Sequence, residues 1–140
     1  MRNGIYDLET LRKAYNRGDH LKYLFFWGHT PPADGHINES CFSQWWMDRF
    51  TVDGTEYTCA EQFMMAEKAR MFGDGEMLSM ILKARHPKEM KAYGRAVKNF
   101  DQDKWDGACY EIVKRGNLAK FSQNPELWDY LKSTKRRILV

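Results

Sequence analysis

Hydrophobic residues recur at helical spacing along much of the chain, and that spacing sets the first expectations. Leu8, Leu11 and Tyr15 share one helical face behind Asp7, a capping residue, and Gly18 supplies a stop. A helix from Asp7 to about Arg17 is predicted. The segment Ala60-Glu61-Gln62-Phe63-Met64-Met65-Ala66-Glu67-Lys68-Ala69 has a different pattern, apolar nearly all round, which marks a buried helix. That helix is expected from about Cys59 to Met71, with Gly73 closing it. Thr58 stands three residues before Glu61, the spacing of a capping box. Further helices are predicted over roughly Gly75 to Ala84 and from Pro87 onward, since proline at a first helical position lacks only a donor that would be unpaired anyway. Another runs from Asp101 through Trp105, Cys109, Ile112 and Val113 and ends at Gly116. The last begins at Asn124-Pro125 and carries Leu127, Trp128 and Leu131.

Strand signals are short. Tyr23-Leu24-Phe25-Phe26-Trp27-Gly28 is a β-prone aromatic run ended by glycine. His29 to Ser40 contains Pro31-Pro32 and Asp34-Gly35 and reads as an exposed loop. Phe50-Thr51-Val52 and Glu56-Tyr57-Thr58 flank Asp53-Gly54, a strong hairpin signal. Ile138-Leu139-Val140 reads as a strand that begins and is then cut off. The expected architecture is mainly α, with a small antiparallel β-hairpin element, in a single domain over residues 1–140.

Composition changes this picture in two respects. Aromatic residues make up 14% of the chain, enough to offer flat faces for a base or sugar as well as core volume. The net charge of +3 is too small for a dedicated DNA-binding protein but suits an anionic small ligand. Cys41, Cys59 and Cys109 match neither a disulfide framework nor a CxxC zinc pattern, and His20, His29, His36 and His86 lack ligand spacing. A reducing, cytoplasmic setting with no structural metal and no cofactor is therefore expected. No segment resembles a signal peptide or a membrane span.

Glu61 and Lys68 are seven residues apart, about two helical turns, and project from nearly the same face. On a buried helix such charges need partners, because desolvated charge is costly. The competing reading makes Glu61 only a capping-box residue and lets Lys68 reach water. Arg95, beside Gly94 in a helical pattern, and Lys120 are the plausible phosphate contacts. The basic tail Lys132, Lys135, Arg136 and Arg137 is most simply a solvated face. There is no GxxxxGK(S/T), GxGxxG, HExxH or GxSxG motif, so nucleotide-loop, zinc-protease and serine-hydrolase chemistry have no support.

Taken in order, several segments resemble the NADAR superfamily, also called the YbiA-like family. They are Phe25-Phe26-Trp27-Gly28, Cys41-Phe42-Ser43-Gln44-Trp45, the Ala60–Ala69 helix, Phe72-Gly73-Asp74, and His86-Pro87-Lys88-Glu89-Met90-Lys91. Gly94-Arg95, Phe100-Asp101 with Trp105, and Asn117-Leu118-Ala119-Lys120-Phe121 complete the series. The resemblance implies a mainly α fold and an N-glycosidase activity. Its substrates would be a phosphorylated ribosylamino-pyrimidine of the riboflavin pathway or ADP-ribose linked to guanine, the latter in nucleic acid. By motif it implies Glu61, Lys68 and Trp105 as active-site residues. Phe26, Trp27, Gly28 and Ser43 would line the ligand pocket, together with Arg95 and Lys120.

Breaking a ribose C1–N bond builds oxocarbenium character, which a carboxylate stabilises while it orients or deprotonates water. Glu61 is the candidate for that work. Lys68 would either hold the leaving base or a phosphate, or attack the opened sugar aldehyde. Relatives continue past the final strand into a Glu-Ala-Ser-Pro…Asp…Trp-Gly motif, with an aspartate of implied catalytic or positioning role. Here Leu131-Lys132-Ser133-Thr134-Lys135 carries lysine where glycine is expected, and the sequence reaches Val140 without that motif. A non-catalytic ADP-ribose or nucleotide-binding module is therefore the alternative expectation, and a small nucleic-acid-binding module a third.

Overall fold

The computed structural model describes residues 5–140. Helix α2 (Ala60–Met71) lies at the centre, with α3 (Gly75–Lys83), α4 (Pro87–Arg95) and α5 (Gln102–Gln123) packed against it. Its buried residues include Ala60, Phe63, Met65, Ala66 and Ala69, which point in several directions around the axis. That is the physical content of an all-round apolar pattern: each face meets a neighbour. Phe63, Met65, Ala66 and Ala69 join Phe50, Tyr57, Ile81, Val97 and Ile112 in the main core.

Two glycines set how closely the helices approach α2. A β-carbon at Gly94 of α4 would stand 1.9 Å from Met65 Sδ, and one at Gly116 of α5 would stand 2.6 Å from Phe63 Cδ1. Gly116 does not end α5, as its residue type led us to expect. The helix runs on to Gln123, and glycine serves there as a contact rather than a stop.

The expected helix starts are present. Asp7 caps α1 (Leu8–Asn16), accepting from Thr10 N–H at 2.7 Å, and Asp101 caps α5, accepting from Lys104 N–H at 3.0 Å. Pro87 and Pro125 occupy the first turns of α4 and α6 (Pro125–Ser133). On α1, however, Leu8 and Tyr15 are exposed and the buried residue is Ala14.

The capping box expected at Thr58 is also corrected. Cys59 is the N-cap of α2, and the Thr58 N–H donates to Gln62 Oε1 at 2.8 Å. Gln62 Nε2 reaches in turn to the Ile81 carbonyl oxygen at 3.1 Å. Gln62, not Glu61, therefore braces this helix start, and the Glu61 carboxylate is left free of it.

Strand content is small. β2 (Phe50–Val52) and β3 (Thr55–Tyr57) form the antiparallel hairpin, with Val52 opposite Thr55. Asp53 and Gly54 both adopt positive φ, 49° and 79°, as a tight primed turn requires. The carboxamide of Gln123 grips this hairpin from the end of α5, accepting from Thr51 N–H and donating to Thr51 O, both at 2.7 Å.

The aromatic run keeps strand geometry only over β1 (Tyr23–Leu24), which pairs in parallel with β4 (Ile138–Leu139). A second core beside that pair joins Cys41, Phe42, Trp46, Phe121 and Leu127. The loop from His29 ends in a 3-10 turn, Glu39–Phe42, whose last three residues are buried. Among the described residues no helix is long and apolar enough to cross a membrane.

Candidate active site

The first turn of α2 carries Glu61, which is only 4% exposed. Its backbone N–H donates to the Gln44 carbonyl oxygen at 2.9 Å, joining α2 to the segment that follows the 3-10 turn. The indole N–H of Trp45, the next residue, faces the Glu61 carboxylate. Burial raises the Glu61 pKa above its ordinary 4.5, while Lys91, the Trp45 indole and Arg95 pull the other way. A buried carboxyl poised between desolvation and two cations is the electrostatic setting of an acid–base group.

Lys91 and Arg95 come from α4. They are four residues apart and share one exposed side of α4, from which both act electrostatically on Glu61. Lys91 Nζ also lies 5.8 Å from the Trp45 ring, whose centroid is 5.1 Å from that of His29.

Two turns along α2, Lys68 is held differently. Its Nζ sits 4.3 Å from the centroid of Phe100 and 5.6 Å from that of Trp105. Its pKa is lowered from 10.5, first by burial and then by repulsion from Arg95. Arg95 acts electrostatically on both Glu61 and Lys68, so one guanidinium links the two ends of the helix face. The structure thus brings Glu61, Lys68, Arg95 and Trp105 onto one side of α2. Lys91, Trp45, His29 and Phe100 join them.

The remaining candidates are placed elsewhere. Lys120 on α5 is fully buried, and its Nζ donates to the carbonyl oxygens of Cys41 at 2.6 Å and Ser43 at 2.9 Å. It braces from behind the backbone that presents Trp45. Ser43 Oγ accepts from the Trp45 N–H at 3.2 Å. Phe26 packs on Phe42 at 5.7 Å between centroids, in the second core. Trp27 is 96% exposed, beside Gly28 with φ 79°.

Lys91 and Trp45 are site residues that the sequence reading misses. The Lys91–Arg95 spacing carries a usable signal, a pair of cations on one helix face. The approach of Trp45 carries none, because it depends on tertiary packing. No group of three or more His, Cys, Asp or Glu side chains gathers as a metal set among the described residues. Catalysis from this site would draw on the carboxylate, the cations and the ring faces.

The NADAR domain model matches residues 25–140, from the aromatic run to the last strand. The chain belongs to the NADAR family. It is similar to an N-glycosidase of Acanthamoeba polyphaga mimivirus, with 40% identity over 125 residues, covering 85% of this chain and 71% of that protein. It is also similar to protein irg-1 of Caenorhabditis elegans, 34% identical over 73 residues, covering 51% of this chain but 34% of that protein.

Its fold matches the solution structure of the E. coli protein YbiA with a TM-score of 0.69 at 23% identity. That match covers 85% of this chain and 66% of YbiA. The mainly α, YbiA-like fold is thus established, and the chain spans less than two thirds of both irg-1 and YbiA.

Proposed function

We propose that this NADAR protein hydrolyses an N-glycosidic bond at C1 of a phosphorylated ribose. The carrying observation is the buried Glu61 carboxylate, faced by the Trp45 indole and drawn upon by Lys91 and Arg95, on the same side of α2 as Lys68. The name N-glycosidase borne by the mimivirus relative supports the reading.

As the C1–N bond breaks, its electron pair leaves with the base nitrogen and C1 becomes cationic. An ionised Glu61 beside C1 stabilises that charge and takes a proton from the incoming water, whose oxygen bonds to C1. A raised pKa brings the carboxylate nearer neutrality, where proton transfer in both directions is efficient. Lys91 and Arg95 supply the positive charge that holds a phosphate. Trp105 offers a ring face, and the exposed Trp27 a second one for stacking on the base.

Lys68 fits two roles. As an ammonium it donates a proton to the departing base. As a neutral amine, favoured by burial and by Arg95, it adds to the opened sugar aldehyde, and the carbinolamine loses the aldehyde oxygen as water to leave an imine. Borohydride trapping separates the two, because only the imine leaves a covalent sugar adduct.

The substrate classes proposed are a phosphorylated ribosylamino-pyrimidine and ADP-ribose joined to guanine in nucleic acid. The test is release of free base from each by wild type and by Glu61→Gln. Turnover by wild type alone supports the reading and assigns the substrate. Saturable binding of ADP-ribose without turnover of either substrate would replace it with a nucleotide-binding module.

A further inference from the structure

Positive charge on this molecule is gathered in one place. A groove of about 1840 Å³ lies between α1 and the chain around the β1–β4 pair, and it shares none of Glu61, Lys68, Lys91, Arg95, Trp45 or Trp105. Arg17, Lys22, Lys135, Arg136 and Arg137 line it, with Asp7 and Asp19 as its carboxylates. Among the described residues that is an excess of three positive charges, equal to the net charge of +3 on the whole chain. Elsewhere lysine and arginine are balanced by acidic residues, so the molecule's field of one sign is centred on this groove.

Both carboxylates are already engaged. Asp7 accepts from the Thr10 amide at 2.7 Å as the cap of α1, and Asp19 accepts from Arg17 Nε at 3.1 Å. Arg137 Nε donates to the Thr134 carbonyl oxygen at 3.2 Å. Lys22, Lys135 and Arg136 are exposed and form no ion pair among the described residues. Like charges gathered in one concavity repel one another, and an anion that spans them relieves that cost.

The backbone at Lys135 points the same way. Its φ is 53°, a left-handed conformation that glycine adopts freely and lysine does not favour. The other non-glycine residues of positive φ among the described residues are Asp53 and Asn99, types that tolerate it. A cation is thus kept against local preference in the turn that ends α6, where the Lys135 N–H donates to the Lys132 carbonyl oxygen at 3.1 Å.

Size and apolar surface choose among anions. The groove is larger than a pocket shaped around one small ligand, so a lone phosphate would leave most of it unfilled. Leu11, Leu21, Leu131 and Ile138 give it a half-buried apolar lining, and the ring of Tyr6, 87% exposed, stands beside them. Cations for a chain of phosphates and an open ring face for an unpaired base are the two elements of single-strand recognition. A flat bilayer surface would meet only the rim of such a concavity.

We propose that this groove docks a single-stranded nucleic acid, with Lys22, Lys135 and Arg136 on its phosphates and Tyr6 stacked on a base. The inference goes beyond the glycosidase reading and does not rest on it.

Fluorescence anisotropy of the intact protein with a labelled oligothymidylate of about 12 nucleotides tests it. Binding should be saturable and weaken with salt, log Kd rising by about 2 per decade of salt as three phosphates regain their counterions. Lys135→Gly should weaken binding and reduce that slope by about 0.7, with a melting temperature unchanged or raised because glycine suits the turn. Lys114→Gln, which removes one exposed charge on α5, should change neither affinity nor slope. Tyr6→Ala should weaken the strand and leave inorganic polyphosphate unaffected. Absence of saturable binding, a salt slope near zero, or equal losses from Lys135→Gly and Lys114→Gln would each overturn the proposal. So would a strand indifferent to Tyr6→Ala, or tighter binding to phosphatidylserine vesicles than to the strand. Loss of turnover in Glu61→Gln reports on the other site alone.

Discussion

The Nζ of Lys120 donates a 2.6 Å hydrogen bond to the carbonyl oxygen of Cys41, 79 residues earlier in the chain. A second bond, to Ser43 O at 2.9 Å, fixes the segment that delivers Gln44 to the α2 amide and Trp45 to the Glu61 carboxylate. A charged group thus sits beneath the site and shapes its backbone.

Lys120→Met should therefore destabilise the fold by about 3 kcal/mol, because two buried carbonyl oxygens lose a charged donor. Burial lowers the Lys120 pKa from 10.5 to about 8. Between these values the unfolded chain holds the proton that the folded chain has released, so this group's contribution grows as pH rises from about 8 to 10.5 and is lost as pH falls through 8. The Cys41 thiol, pushed up from 9.0 to about 11 by burial, has the opposite slope. Denaturant unfolding of wild type against Lys120→Met across this range isolates the lysine. A pH-independent difference would refute the assignment.

Glu61→Gln should reduce glycosidase turnover by about 10²- to 10⁴-fold, the usual worth of a positioned acid–base group. Stability should move the other way. The folded pKa lies above 4.5, so the carboxyl's stabilising contribution is full below 4.5 and is lost as pH rises through the folded value. At neutral pH the glutamine variant is expected to be at least as stable as wild type. Thermal melts at pH 4 and pH 7 check the sign. In the same window, wild-type turnover should fall on acidification as Glu61 takes up its proton.

Gly94→Ala and Gly116→Ala test the close helix contacts. Alanine favours a helix by about 1 kcal/mol over glycine. Here its β-carbon would meet Met65 Sδ at 1.9 Å and Phe63 Cδ1 at 2.6 Å, so each substitution should instead cost about 1–3 kcal/mol. Adding Met65→Ala to Gly94→Ala should cost less than the two single changes together. Additive losses would show that no steric conflict exists.

Arg95→Gln should act on both ends of the α2 face. Removing the guanidinium takes away one cause of the lowered Lys68 pKa, so Lys68 should hold its proton to higher pH, though burial still keeps it below 10.5. Affinity for a phosphorylated ribose should drop by on the order of tenfold with the loss of one charged contact. Titration of the methyl-labelled Lys68 amine by NMR, alongside KM for the substrate, reads both effects.

The local features of the fold were legible because they depend on near neighbours. Asp7 and Asp101 as caps, Pro87 and Pro125 in first turns, the Asp53-Gly54 turn, and the all-round apolar α2 are determined within a few residues. The readings that failed took a local rule where a distant partner ruled. Gly116 looked like a helix stop, yet Phe63 makes it a contact, and the Thr58–Glu61 spacing looked like a capping box, yet Gln62 takes the Thr58 amide.

By itself the sequence determined a mainly helical chain, its NADAR motifs, and a carboxylate and an amine on one face of a buried helix. Helical period alone fixes that last relation. Only the tertiary structure decided which groups surround them. Trp45, Lys91, Arg95 and Phe100 reach the α2 face by packing of separate segments, and Lys120 turns inward because the carbonyls of Cys41 and Ser43 await it there. Desolvation by those same neighbours moves the Glu61 and Lys68 pKa values, an effect absent until the chain has closed around them.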